Sequence, residues 1–318
     1  MLALVLAAPA FAACAAEGVR VCLNWAPGAD HAPLYFARAE GWFSDADVAV
    51  DILPGGGSGD ALQKAANGEC ESAIADFGAL RAARAAGKHL IAVMALFSDS
   101  PLAFYAPDHS GVTSPEDLVG KCVAGHPTDP PRRLWPAFAA RTGLAPDAVT
   151  WIDLPNNAKV DALADGTVAV AGNGFYHHHA EYVRAFGEQL HVLWWRDVGV
   201  NPYGNVLVLS QAWASSHPAA ARAFVRAVQR AHAACAAEPE PCLAALLAAN
   251  PHLDTGTETA KWQAARPLIA PGRLAGTTLG SFDPAQAAAS FHPPLPEAEA
   301  MRMYDNGLLD PAVLVPAR

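Results

Sequence analysis

Short apolar runs alternate with amphipathic stretches along most of this chain, and that alternation leaves few architectures open. Residues 19–23, 48–53, 71–75 and 90–97 are brief, aliphatic and often β-branched, as buried strands are. Helical spacing fills the gaps: Ala32, Tyr35, Phe36, Ala39 and Trp42 share one face, and 60–67 forms the next helix. Repeated strand, helix, strand units predict an α/β fold with a mostly parallel sheet and helices on its faces. After the apolar run 102–106 the composition turns polar from Pro107 to Gly111, where the chain is expected to cross to a second lobe. Strands at 121–124, 149–152, 168–171 and 191–195, with helices at 132–141 and 157–164, repeat the logic there. A strand at 206–209 and helices at 218–236, 243–249 and 259–265 follow.

In open α/β sheets ligands collect beyond the carboxyl ends of the strands, where helix N-termini also point. The first strand stops at Asn24 and Trp25, and Pro27 and Gly28 break the chain before the helix. Asn24, Trp25, Asp30 and His31 are therefore expected to face a cleft; the competing reading makes Trp25 a core aromatic and His31 an ordinary loop residue. Trp25, Tyr35, Phe77, Phe175, Tyr176 and Tyr203 all fall at strand ends or helix starts, a set suited to a planar aromatic ligand. Two or three of them are expected in the core, Phe77 or Phe175 included. The glycine run 55–59 either offers free helix amides to a polar oxygen or forms a turn capped by Ser58 or Asp60. Asp76 follows a buried strand and needs a partner, either an amine on a ligand or the amides of the next helix. Thr128, with Asp129, stands at the mouth of another helix as a second-lobe contact. His177, His178 and His179 are consecutive, and neighbours on a helix point about 100° apart, so no shared metal ion is expected. His177 instead reaches the cleft as a hydrogen-bonding group.

LNW at 23–25, HAPLY at 31–35, GWF at 41–43 and VAVDILPGGGSGDALQ at 48–63 occur in that order. With ADFGAL at 75–80, and with 123–136 and 197–205, they resemble solute-binding proteins of ABC transporters, in the class of thiamine-precursor pyrimidine binders and sulfonate or taurine binders. The resemblance implies a periplasmic-binding-protein-like fold of type II, two α/β lobes joined by a two-crossing hinge. The expected division is 14–106 plus 205–318 for one lobe and 107–204 for the other. It also implies a small-molecule ligand clamped between the lobes, first a formylaminopyrimidine or hydroxymethylpyrimidine precursor of thiamine, and delivery to a membrane ABC permease. A monomer without a cofactor is expected. Where pyrimidine-handling relatives carry an acidic residue after the second-lobe strand, this chain has Phe175 and Tyr176, which leaves Asp76 to supply the carboxylate. The alternative is an aromatic carboxylate, a sulfonate or a flavin-like solute, for which Arg81, Arg132 and Arg133 are the cations to watch. The same resemblance includes a eukaryotic synthase that builds the thiamine pyrimidine from its own histidine and a bound pyridoxal phosphate. Its pyridoxal lysine aligns with Asp76 and its cysteine-rich motif with 200–205, where no cysteine occurs. Without an amine there is no Schiff base, so an enzyme is not expected.

Residues 2–13 are almost wholly apolar, with Ala10 and Ala12 flanking Phe11 as at a secretory cleavage site. A signal peptide over 1–13 and a periplasmic or exported product are expected, cleaved simply or acylated at Cys14. The net charge of −10, from 21 basic and 31 acidic side chains, argues against a nucleic-acid or anionic-membrane surface. In an exported protein disulfides are permitted. Cys235 and Cys242 bracket Glu238, Pro239, Glu240 and Pro241, which must leave the helix, so a local bridge is expected there. Cys22 and Cys122 read as buried free thiols.

Overall fold

The computed structural model describes residues 17–127, 129–173 and 176–316, without the side chains of Tyr176 and His177. The expected signal peptide, Cys14, Thr128 and Phe175 lie outside the described residues. Among those residues ten strands make two five-stranded sheets. The first holds β1 (Glu17–Cys22), β2 (Val48–Leu53), β3 (Ser72–Asp76), β4 (Leu90–Ala95) and, much later, β10 (Asn205–Ser210). The second holds β5 (Ala103–Pro107), β6 (Cys122–Ala124), β7 (Thr150–Ile152), β8 (Val170–Asn173) and β9 (Leu190–Trp194). Helices α1 (Ala32–Ala39), α2 (Ser58–Ala66) and α3 (Phe77–Ala85) connect the first sheet, and α4 (Pro130–Thr142), α5 (Lys159–Ala164) and α6 (Tyr176–Phe186) connect the second. After β10 come α7 (Gln211–Ser216), α8 (Pro218–Ala237), α9 (Pro239–Ala249), α10 (Thr255–Ile269), α11 (Pro284–Ala289) and α12 (Glu297–Ala300).

The two sheets repeat one plan. Their orders are β2-β1-β3-β10-β4 and β7-β6-β8-β5-β9, and in each the fourth strand alone runs antiparallel to its neighbours. That strand is the one by which the chain has just arrived from the other lobe. β5 therefore belongs to the second sheet, which corrects the expected crossing at 107–111: the chain leaves the first sheet between Ala95 and Ala103. Ser98, Asp99, Ser100 and Pro101 make the break, since proline cannot donate to a ladder. Where the chain returns, between Trp194 and Asn205, the two crossings are tied together. Asn201 Nδ2 donates to Asp99 Oδ1 at 2.8 Å, the Ser100 amide donates to Asn201 Oδ1 at 2.7 Å, and Arg273 Nε donates to Asp99 Oδ1 at 2.8 Å.

Strands buried on both faces need continuous apolar sequence, and β3 and β10 have it. On one face of the first sheet Val19, Val21 and Leu23 pack with Phe224 and Val228 of α8; on the other Cys22, Ala73, Ala75 and Leu80 cluster with Phe282 and Phe291. Each large aliphatic or aromatic side chain so buried stabilises the fold by roughly 1.5–3 kcal/mol. Cys235 and Cys242 are bridged with their Cα atoms 5.7 Å apart, at the break between α8 and α9. Cys22 is not a free thiol as expected: β1 pairs with β3, which brings it to Cys70, and the two are bridged with Cα atoms 6.0 Å apart. Cys122 is the free cysteine among the described residues.

Candidate functional site

In the first sheet β1 connects toward β2 on one side and lies beside β3 on the other, so the loops leaving β1 and β3 diverge and open a crevice. The loop after β1 carries Asn24 and Trp25. It is held from below by the glycine run, where a Cβ on Gly55 would overlap the Leu23 carbonyl oxygen, and where the Gly55 amide donates to the Trp25 carbonyl at 3.1 Å. Gly57 precedes α2 at φ 126°, a conformation that suits glycine. Helices α4 and α6, which follow β6 and β8 of the second sheet, face this crevice. Between the two lobes lies a cavity of about 1000 Å³ whose wall includes Asn24, Trp25, Ser58, Asp76 and Tyr203 from the first lobe. Leu102, Arg133, Asn156, His178 and Glu181 line it from the second.

Trp25 is 57% exposed, its ring open to the cavity rather than packed in a core. His31 is only 2% exposed: its Nδ1 accepts the Gly28 amide at 3.2 Å and its Nε2 donates to Asn24 Oδ1 at 2.9 Å. Burial pushes its pKa below the usual histidine value, against the pull of Asp30 and Glu258, so the neutral ring is the stable form. Glu258 of α10 steadies the same loop, accepting the Ala29 amide at 2.7 Å and the Lys261 ammonium at 2.7 Å. Asp76 caps α3, its Oδ1 accepting the Ala79 amide at 3.0 Å, while its own amide donates to Ser58 Oγ at 3.0 Å. Burial raises the Asp76 pKa above the ordinary aspartate range, and the Ala79 amide and the Arg133 charge oppose the rise. Across the cavity Asn156 forms part of the wall, and its Oδ1 is buried with no hydrogen-bond partner among the described residues.

The structure therefore brings Asn24, Trp25, His31, Ser58, Asp76 and Tyr203 to one cavity. Tyr203 stands on the wall with most of its ring packed and its hydroxyl accepting the Asp283 amide at 2.8 Å. Tyr35 does not reach the cavity: α1 turns it away toward Trp262 and the Cys235–Cys242 bridge, where it is 5% exposed and bonded to Asn250. Phe77 is likewise core, 0% exposed within 6 Å of the Phe282, Phe291 and Tyr203 rings, because the first turn of α3 points it beneath the sheet end. Tyr176 and His177 begin α6, but their side chains lie outside the description. Asn156, and His178 bonded to Glu181 at 3.1 Å, were missed; the histidine run was the one available signal. Arg81 and Arg133 line the cavity, whereas Arg132 turns away to bond the Gly125 carbonyl at 2.9 Å. Among the described residues no His, Cys, Asp and Glu cluster is arranged for a metal ion, and no helix is long and apolar enough to cross a membrane.

Comparison with known proteins agrees with this architecture. The protein is 24% identical over 240 residues to 4-amino-5-hydroxymethyl-2-methylpyrimidine phosphate synthase of Legionella pneumophila, covering 74% of this chain and 75% of that one. It is 27% identical over 228 residues to the riboflavin-binding protein RibY of Chloroflexus aurantiacus, covering 70% of this chain and 64% of that one. A putative periplasmic sulfonate-binding protein, SsuA of Methylobacillus flagellatus, shares the fold with a TM-score of 0.66 at 14% identity, over 93% of this chain and 92% of that one. The fold is thus α/β and periplasmic-binding-protein-like, as the sequence implied. A family model described as NMT1/THI5 like matches residues 28–241, and the chain belongs to that family.

Proposed function

We propose that this protein is an exported solute receptor of an ABC importer, closing two lobes over a planar amino-substituted heterocycle and releasing it unchanged to a membrane permease. One observation carries the reading: the Asp76 carboxylate and the Trp25 ring stand together on one wall of a cavity that the second lobe closes from the other side with polar residues such as Asn156. A charge-assisted hydrogen bond from a ligand amine to the Asp76 carboxylate is worth about 1.5–3 kcal/mol. Stacking on Trp25 adds about 0.5–1.5 kcal/mol. Ligand contacts made from both lobes favour closure, with the tied crossings at Asp99 and Asn201 as the hinge.

A thiamine-precursor aminopyrimidine is the first candidate. A flavin-sized ring is the second, because about 1000 Å³ stands at the upper end of the roughly 300–1000 Å³ typical of small-molecule sites. A synthase is disfavoured by the same wall: Asp76 occupies the position where a pyridoxal lysine would align, and the cavity's Lys261 is committed to Glu258. A thermal-shift screen of aminopyrimidines, flavins, aromatic carboxylates and sulfonates tests the reading. A ligand at 100 times its dissociation constant should add about 2.7 kcal/mol of stability. A screen in which no planar heterocycle raises the melting temperature contradicts it.

A further inference from the structure

Beneath the loop that carries Trp25 lies a buried group of ionisable side chains brought together by three elements. His31 and Asp30 come from the turn before α1, Glu258 from α10 and His232 from α8; His31, Glu258 and His232 are each 2% exposed. Lys261 of α10 is bonded to Glu258. The charges of the other two helices packed on this turn lie elsewhere: Arg38 of α1 sits over the Tyr35 ring, and α9 buries Cys242, Leu243 and Leu246 while its Glu240 is exposed. His31 Nδ1 has two partners at nearly equal range, the Gly28 amide at 3.2 Å and Asp30 Oδ1 at 3.3 Å. An amide N–H only donates and an ionised carboxylate only accepts, so the protonation state of Nδ1 selects between them. The neutral ring, with its proton on Nε2 toward Asn24 Oδ1, takes the Gly28 amide. A cationic ring turns a second N–H toward Asp30 and leaves the buried Gly28 amide without its acceptor. Trp25 is held at its carbonyl by the Gly55 amide, and the Ala29 amide is held by Glu258. The span released between them is Ala26, Pro27 and Gly28, and all three line the cavity.

We propose that His31 is a proton-operated latch on the cavity wall: on acidification its Nδ1 hydrogen bond passes from Gly28 to Asp30, and the segment from Ala26 to Gly28 loosens. Burial favours the neutral ring and the charges of Asp30 and Glu258 oppose it, so the proton is taken up below about pH 6.5. Solute affinity follows the latch, a consequence that rests on the receptor reading. A solute that binds the neutral-ring state better is held near neutral pH and released in acid.

The NMR amide resonance of Gly28 in the ligand-free protein reads the latch directly. Followed from about pH 8 to about pH 5, it should move through one transition below about 6.5. Asp30→Asn withdraws a charge that favours the cation and should move this transition to lower pH, and His31→Gln should abolish it. His232→Gln, which removes the other buried imidazole, should leave it in place. A Gly28 amide that does not titrate, or whose transition is unmoved in Asp30→Asn, overturns the latch. Affinity is read by calorimetric titration with 4-amino-5-hydroxymethyl-2-methylpyrimidine and riboflavin at both ends of the range. The probe that binds at the upper end should bind about 10-fold more weakly at the lower, as the loss of one hydrogen bond gives, and His31→Gln should hold the change within ~3-fold. A fall as steep in His31→Gln assigns the pH dependence to Asp76 and overturns the link from latch to solute, as does an unchanged affinity in the wild type. Failure of both probes to bind at either pH counts against the receptor reading, and the Gly28 titration still decides the latch.

Discussion

His31 and Asn24 lock the two ends of the loop that carries Trp25, through one neutral imidazole that accepts the Gly28 amide and donates to the Asn24 side chain. A proton on Nδ1 would face the Gly28 amide donor to donor. His31→Ala should therefore cost about 1–3 kcal/mol in urea unfolding, since it strands two polar partners. Ligand affinity should fall with it, as the Trp25 ring loses its support.

A second buried histidine sets the acid limit. His232 donates its Nδ1–H to the Val228 carbonyl at 2.9 Å, and burial lowers its pKa to about 4. A folded-state pKa below the unfolded value of about 6.5 means that the unfolded chain takes up the proton first. The stability this group contributes is complete above pH ~6.5 and is lost as the pH falls toward about 4, roughly 3 kcal/mol in all. His31, lowered in the same direction, steepens the loss. Urea midpoints measured across this range should fall steadily in the wild type and more shallowly in His232→Gln.

Asp76 has two duties that one substitution separates. Asparagine caps a helix about as well as aspartate, so Asp76→Asn should hold stability within ~0.5 kcal/mol. It removes the charge offered to a ligand amine, and a charge-assisted hydrogen bond is worth about 1.5–3 kcal/mol. Titration of an aminopyrimidine should show affinity falling about 10-fold or more with an unchanged unfolding midpoint. A large stability loss at unchanged affinity would confine Asp76 to its capping role.

The two bridges close loops of very different length, 48 and 7 residues apart in sequence. Loop-closure entropy assigns about 4 kcal/mol to Cys22–Cys70 and about 2.5 kcal/mol to Cys235–Cys242. Denaturing alkylation without reductant should label Cys122 and spare those four cysteines, and Cys22→Ser should destabilise more than Cys235→Ser.

Periodicity found every strand of both sheets, because a buried parallel strand is written locally as a short aliphatic run. Strand ends then pointed to Asn24, Trp25, Asp76 and Tyr203, since the fold class fixes where loops converge. What escaped depended on distant neighbours. Tyr35 lies on an apolar helix face, but the sequence does not say that α9 and α10 cover it. Arg132 and Arg133 differ by about 100° on α4, and which one enters the cavity is set by the burial of Pro131, Trp135 and Phe138. Cys22 meets Cys70 only because β1 lies beside β3. The run 102–106 reads as a strand in either lobe; its partners β8 and β9 come from residues more than sixty positions later.

The central claim is that a planar solute stacks on Trp25 between the lobes and leaves chemically unchanged. Titration of the wild type and Trp25→Ala with 4-amino-5-hydroxymethyl-2-methylpyrimidine, its phosphate and riboflavin, followed by mass analysis of the recovered ligand, tests it most directly. The account predicts saturable one-to-one binding with the ligand recovered intact, and about 10-fold or greater weakening in Trp25→Ala at nearly unchanged stability. Equal affinity in the two proteins, or a ligand converted to product, would contradict it.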